Sequence, residues 1–295
     1  MRAGNPEIFV IGAGPVAVAL AGSLRRAGAP VLGLWARRPE AARAAAAAAG
    51  IPGYGAAPPD RLLEAEVVLV AVRDDAIAEV AAMLVDTGLV GPRHVLVHCS
   101  GANPAADAFG AVAAGVGGVG TMHPLRAIVD GRAAIGRLDG TIFGVEGDDV
   151  GRAVVTALVR HLGGVALSLT SDQMGAYHAA AAMVANYAVT LVDAAVEVLT
   201  AAGIDAAAAT AALLPLARGS LDNVETRGLP TALSGPIRRG DRATVARHLE
   251  VLAGDPEISA LYRVLARRTV GLARACGDAA GADLDAIAAV LTERE

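Results

Sequence analysis

The stretch EIFVIGAGPVAVALAGSLRRAG, Glu7 to Gly28, decides the fold. It reads as a short apolar strand, a glycine turn and a helix ending near Gly28. Inside it, Gly12-Ala13-Gly14-Pro15-Val16-Ala17 fits the pattern G-x-G-x-x-G/A. Alone the pattern is weak. Here it follows a strand, opens a helix and starts the first βαβ unit, which is the context in which it binds a dinucleotide. Gly12 permits the tight turn and Gly14 lets the backbone approach a pyrophosphate. Ala17 allows helix and strand to pack closely. The helix start at Pro15 and Val16 supplies unpaired N–H groups and positive potential. The competing reading is a glycine-rich turn with no ligand.

Working outward, VLGLWARRP (31–39) is a second strand stopped by Pro39. About 20 residues after the fingerprint, an NAD site usually carries an Asp or Glu for the ribose hydroxyls. This chain has Trp35-Ala36-Arg37-Arg38 and no acid until Glu40. Two guanidiniums suit a 2'-phosphate, with bidentate pairing and room to stack on adenine, so the expected cofactor is NADP. The alternative is that Arg37 and Arg38 are simply solvated at a strand end.

AEVVLVAV (65–72), RHVLVHCSGA (93–102), GGVGTMHPL (117–125), GTIFGVEG (140–147) and GVALSLT (164–170) read as further strands, with helices at 40–50 and 149–164. Strands alternating with helices imply a doubly wound, mostly parallel sheet. The turns at Val72-Arg73 and at Ser100-Gly101 follow strand C-terminal ends, where such sheets bind ligands, and would border the ribose and nicotinamide. Asp74 or Asp75 would alternatively cap a helix. After Thr170 only helical periodicity remains, at about 172–202, 205–226, 241–253, 256–276 and 282–293. The expected organisation is therefore an α/β Rossmann domain over 1–169 and an all-helical substrate and dimerisation domain over 170–295.

Composition limits the chemistry. A formal charge of -5 argues against a nucleic-acid partner. The chain contains no lysine, which excludes Schiff-base and ammonium chemistry. Cys99 and Cys276 lie far apart and read as reduced thiols of a cytoplasmic protein; no metal-like spacing is present. Ile8 to Leu24 is uncharged, but Glu7 precedes it and Gly12 and Gly14 interrupt it, so it reads as strand and turn rather than a signal peptide. Gln173 to Val192 is about long enough to span a bilayer. It contains Gln, two Tyr, His and Asn, and reads instead as a helix buried inside protein, with no membrane role.

That helix holds the chemical candidates. His178 and Asn186 lie about 80° apart around it, with Ala182 leaving room between them for a small ligand. A buried imidazole and amide need partners, and a substrate is one; neighbouring helices are another. His123, closing a strand, is placed to orient substrate or donate a proton, or is an ordinary strand-end histidine. In LSGPIRRGD, Ser234, Arg238 and Arg239 are candidates for binding a carboxylate, although Asp241 is available to pair with an arginine. Asn223 is either a cap or a site residue.

HCSGA (98–102), HPL (123–125), YHAAAAMVAN (177–186), LLPLARGSLDN (213–223) and ALSGPIRRGD (232–241) together resemble the Rossmann-like proteins with a DUF2520 C-terminal domain. The resemblance covers nearly the whole chain. It implies an NADP oxidoreductase; some relatives are an alternative type of ketopantoate reductase. It also implies a C-terminal domain like that of 6-phosphogluconate dehydrogenase, a fold group shared with β-hydroxyacid dehydrogenases and pyrroline-5-carboxylate reductase. That group usually places a catalytic Lys one turn before an Asn. With Asn186 as that Asn, the Lys position holds Ala182, and His178 is expected to replace the acid directly or through water. The leading expectation is an NADPH-dependent reductase of a small 2-oxo acid, ketopantoate first, acting as a homodimer. Imine reduction and a nucleotide sensor without turnover are the alternatives, the missing lysine favouring the second.

Overall fold

The computed structural model describes residues 6–292. By packing, the chain forms two compact units, one ending at Ala185 and one beginning at Asn186.

The first unit alternates β1 (Ile8–Ile11), α1 (Pro15–Arg26), β2 (Val31–Ala36), α2 (Pro39–Ala49), β3 (Gly53–Gly55), β4 (Val67–Val70), α3 (Ile77–Asp86), β5 (Val95–His98), α4 (Ala105–Phe109), β6 (Gly118–Pro124), α5 (Gly131–Ala134), β7 (Ile142–Gly147), α6 (Asp149–His161) and β8 (Val165–Ser168). The strands make one sheet of order β3-β2-β1-β4-β5-β6-β7-β8. Neighbouring strands are parallel throughout except β6 and β7, which are antiparallel. The sheet is thus doubly wound and mostly parallel, as the alternation implies. The order reverses at β1, which pairs with both β2 and β4. At such a reversal the following connections leave toward opposite faces and a crevice opens.

The unbroken apolar strands follow from burial on both faces. Ile8 and Val10 enter one core with Leu20 and Leu24 of α1 and Val155 of α6. Phe9 and Ile11 enter a second core with Ile77, Val80 and Leu84 of α3. β3 has no counterpart in the sequence reading. It is a three-residue edge strand, two of them glycine, beside α2, so it carries neither length nor alternating pattern.

The helical part comprises α7 (Met174–Ala201), α8 (Ala206–Arg227), α9 (Arg242–Leu252), α10 (Pro256–Cys276) and α11 (Gly281–Thr292). The expected last helix ran to residue 293, which lies outside the described residues. Val245 and Leu249 of α9, Val270 and Ala273 of α10, and Leu284 and Ile287 of α11 form the core of the second unit. Aspartates start its helices: Asp205, Asp241 and Asp255 accept the first free N–H groups of α8, α9 and α10.

The strand pattern stops at 169/170, but the packing divides inside α7, because the first turns of that helix belong to the sheet unit. Met174 there is fully buried. Beyond it, one expectation is corrected. Ser171–Ala201 is long and apolar enough to cross a membrane by length and composition, yet none of its most apolar 18-residue window is buried within the chain. His178 and Asn186 are both exposed. The helix is apolar all round, and the single chain covers it only in part: Val184 and Val189 are largely exposed, while Ala194, Ala195 and Val198 are half-buried.

Candidate active site

A cleft of about 840 Å³ crosses the C-terminal ends of the central strands, entirely within the first unit. It runs from Arg37 and Arg38 after β2, past the turn after β1, to Ser100, Gly101 and His123 at the ends of β5 and β6, and it meets His178. Gly12, Gly14, Pro15, Val16, Val72 and Arg73 line it as well. Ala17 is fully buried behind it, where a larger residue would force α1 away from the sheet.

Gly12 has φ +123°, and a Cβ there would lie 2.2 Å from the Ala71 carbonyl oxygen. Backbone therefore passes backbone at van der Waals distance, and only glycine fits. Gly14 precedes α1 in extended conformation with no side-chain cap, and a Cβ there would meet nothing within 4 Å. The first turn of α1 thus faces the cleft with its N–H groups uncapped, an arrangement suited to a pyrophosphate. Arg37 and Arg38 are exposed and in no ion pair among the described residues. Arg73 is different, since it pairs with Asp75 at 2.8 Å.

At the other end, the Ser100 hydroxyl donates to Asp74 Oδ2 at 2.8 Å. Its oxygen accepts from Asn103 Nδ2 at 3.1 Å and from the Ala102 and Asn103 backbone. Asn103 also donates to Asp74, at 3.2 Å. Ser100 is saturated within its own turn, so it holds the loop's shape, and Asp74 is a loop anchor as well as a nearby negative charge. Beneath it, the Ser100 N–H donates to His98 Nδ1 at 3.1 Å. The His98 proton is then on Nε2, 3.0 Å from Thr121 Oγ1, and Thr121 donates to Glu146 Oε2 at 3.4 Å. Glu146 also accepts from the Ala105 N–H at 2.7 Å and from Ser171 Oγ at 2.8 Å. One buried carboxylate therefore ties α4, β6 and the turn leading into α7. Burial lowers the His98 pKa to about 4, despite nearby Asp74, so the ring is neutral.

His123 and His178 meet edge to face, ring centroids 5.7 Å apart. They close over Gly101, where a Cβ would lie 2.7 Å from His178 Nδ1 and 2.9 Å from His123 Nε2. His123 Nδ1 is 2.9 Å from the Tyr177 hydroxyl. Burial, reinforced by His178 and opposed by Asp74, lowers the His123 pKa to about 4. Cys99 also lines the cleft, but burial pushes its thiol up to about 12, which removes it as a nucleophile.

The structure thus brings together the fingerprint, the arginine pair, Val72, Arg73, Ser100, His123 and His178. Asn186, Asn223, Ser234 and Arg238 belong to the second unit. Asn186 and Ser234 are exposed and Asn223 is half-buried on α8. The Arg238 guanidinium is held by Asp278 at 2.5 Å and by the Thr231 and Leu233 carbonyls. Asp241 does not pair with it but caps α9. Sequence reasoning missed Asn103, Thr121, Glu146 and Tyr177. The one available signal was Glu146, a lone charge inside the apolar strand IFGVEG.

Two family models match the chain. A Rossmann-like domain matches residues 1–126, and the domain of unknown function DUF2520 matches 141–269. The chain joins a Rossmann-like domain to a DUF2520 domain. Among solved structures, a "putative NADP oxidoreductase" from Bacteroides fragilis is 25% identical, with TM-score 0.70 over 90% of this chain and 98% of that one. A Thermotoga maritima protein is 24% identical, with TM-score 0.72 over 92% and 99%. An imine reductase from Streptomyces aurantiacus shares the fold at 19% identity, with TM-score 0.61 over 97% and 100%. No curated protein matches the chain.

Proposed function

We propose that this DUF2520 protein is an NADPH-dependent oxidoreductase that reduces the carbonyl of a small 2-oxo acid, with ketopantoate the first candidate substrate. The observation that carries the reading is the polarity of one cleft. An uncapped helix start and two unpaired guanidiniums lie at one end, and two imidazoles close over a glycine at the other. The likeness to the Bacteroides fragilis protein supports the same class.

Gly12 and Gly14 give backbone access to the pyrophosphate, and Arg37 and Arg38 take the 2'-phosphate. Bound NADPH supplies the hydride. Asp74, Ser100 and Asn103 hold the loop that forms the floor of the reacting end. His123 and His178 face the substrate oxygen; His178, one turn before the Ala182 that stands at the lysine position, is the proposed proton donor, directly or through water. Turnover of ketopantoate and of a cyclic imine, measured side by side by NADPH oxidation, separates carbonyl from imine reduction. Tight NADPH binding without oxidation across both panels would make the protein a sensor. Arg37→Ala with Arg38→Ala is expected to weaken NADPH binding by about tenfold to a hundredfold while leaving NADH unaffected; equal losses for both would remove the phosphate assignment.

We further propose that the protein is a homodimer joined through α7 and α8. The surface of these helices is apolar, with Val184 74% and Val189 71% exposed on α7 and Leu216 and Leu221 exposed on α8, a patch of the kind that marks a protein–protein interface. An apolar cleft of about 500 Å³ between α7, α8, α9 and α10 adds to it.

A further inference from the structure

The contact between His123 and Tyr177 has no place in the scheme above. His123 closes β6, and Tyr177 stands one turn into α7, so two separate elements bring the pair together. The Tyr177 hydroxyl lies 2.9 Å from His123 Nδ1, with the rings edge to face at 5.5 Å. Room for the phenol is provided by Gly144, opposite His123 in the sheet, where a Cβ would fall 2.7 Å from the hydroxyl oxygen. The other ring nitrogen, Nε2, lies on the Gly101 side, and the only protein hydrogen bond of this ring among the described residues is the one at Nδ1.

A neutral imidazole has one donor and one acceptor nitrogen, and the partner of one fixes the role of the other. The Tyr177 hydroxyl is hydrogen-bonded to His123 Nδ1. A phenol is a far stronger acid than a neutral imidazole N–H, so the favoured bond is O–H···N, with the Tyr177 proton directed at His123 Nδ1.

We infer that Tyr177 is a positioning residue that holds His123 as the Nε2–H tautomer, so that the ring donates a hydrogen bond to a substrate oxygen in the cleft. The charged and titratable groups around His123 agree with a neutral ring: Asp74 favours protonation, while His178 and burial oppose it and prevail. The polarising donor is then a neutral imidazole with its direction set in advance, which costs no reorganisation when charge develops. The part concerning substrate rests on the reductase reading; the tautomer does not.

Two-bond ¹H–¹⁵N correlations of the histidine rings in the full chain, without cofactor, test the tautomer. The His123 signals are those lost in His123→Gln. The expected result is a proton on Nε2 at neutral pH and a shifted Nδ1 resonance in Tyr177→Phe. A proton on Nδ1, or an Nδ1 resonance indifferent to Tyr177→Phe, overturns the inference. In NADPH oxidation, Tyr177→Phe should lower kcat about tenfold, the worth of one hydrogen bond, with KM little changed. Unchanged kcat in a variant whose ring has lost its orientation overturns the role in turnover. A wild-type protein that oxidises no NADPH defeats the reductase reading alone, since the ring signals still decide the tautomer.

Discussion

Val67–Val70 and Gln173–Val192 are both uncharged, apolar runs, and they fare in opposite ways. Every residue of β4 is at most 1% exposed, with one core on each face. Along α7 the most apolar window has no buried residue at all. The first run lies in a sheet that the chain covers with its own helices. The second has too few partners within the chain. Hydrophobicity states that a segment needs covering; it does not state which molecule provides the cover.

The strongest way to break this comparison is to charge the exposed part of α7. Val184→Asp with Val189→Asp should dissociate the proposed dimer, because an unpaired charge buried in an interface costs about 3–5 kcal/mol. Light scattering should give twice the chain mass for the wild type and the chain mass, or aggregate, for the variant. A wild type already at the chain mass, with the variant as stable as it is, would mean that α7 tolerates solvent and that the two runs differ for some other reason.

The covered unit responds to a different kind of change. Gly12→Ala adds a Cβ 2.2 Å from backbone oxygen at positive φ. It should cost about 3 kcal/mol or more of stability and abolish measurable NADPH binding; calorimetry of unfolding and of binding both read this. Gly14→Ala, with open space at its Cβ, should spare stability.

Burial of His98 has a similar but pH-dependent consequence. Its pKa in the folded chain is about 4, below the value of 6.5 for an unburied ring. The unfolded state therefore takes up a proton first as pH falls. Stability is full above about pH 6.5 and declines by on the order of 3 kcal/mol as pH drops to about 4. Denaturant titrations across that range should show the slope. Its absence would mean that the ring is not sealed from water. The smallest effect concerns Gly101. The three atoms nearest its added Cβ are ring atoms of His123 and His178, side chains rather than backbone. Gly101→Ala should leave the melting temperature almost unchanged and lower kcat about tenfold; a kcat equal to wild type would show that the two rings need not converge there.

Much of this was legible from residues, and the exceptions are instructive. The fingerprint at Gly12–Ala17 declared itself because a turn this tight tolerates few sequences. The arginine pair was visible by contrast, since an acid was absent from its usual place. His98 is buried, and its hydrogen-bonded path to Glu146 joins residues 98, 121 and 146, which no local spacing connects. Tyr177 stood beside His178 in the same quoted motif and still gave no signal, because its partner lies 54 residues away. Arg238 looked available from its neighbours in sequence, and Asp278, across a turn between helices, holds it.

By itself the sequence determined the doubly wound sheet, the change to helices after Thr170, the ligand-binding turn and the need of α7 for a cover. These are properties of backbone conformation and hydrophobic periodicity, which act between near neighbours. Only the tertiary structure decided which imidazole faces which, that Ser100 is already satisfied, that a single carboxylate ties three elements together, and that α7 is only partly covered within one chain. Those depend on residues brought together by folding, where a shift of an ångström makes or breaks a hydrogen bond, and a linear pattern carries no record of such distances.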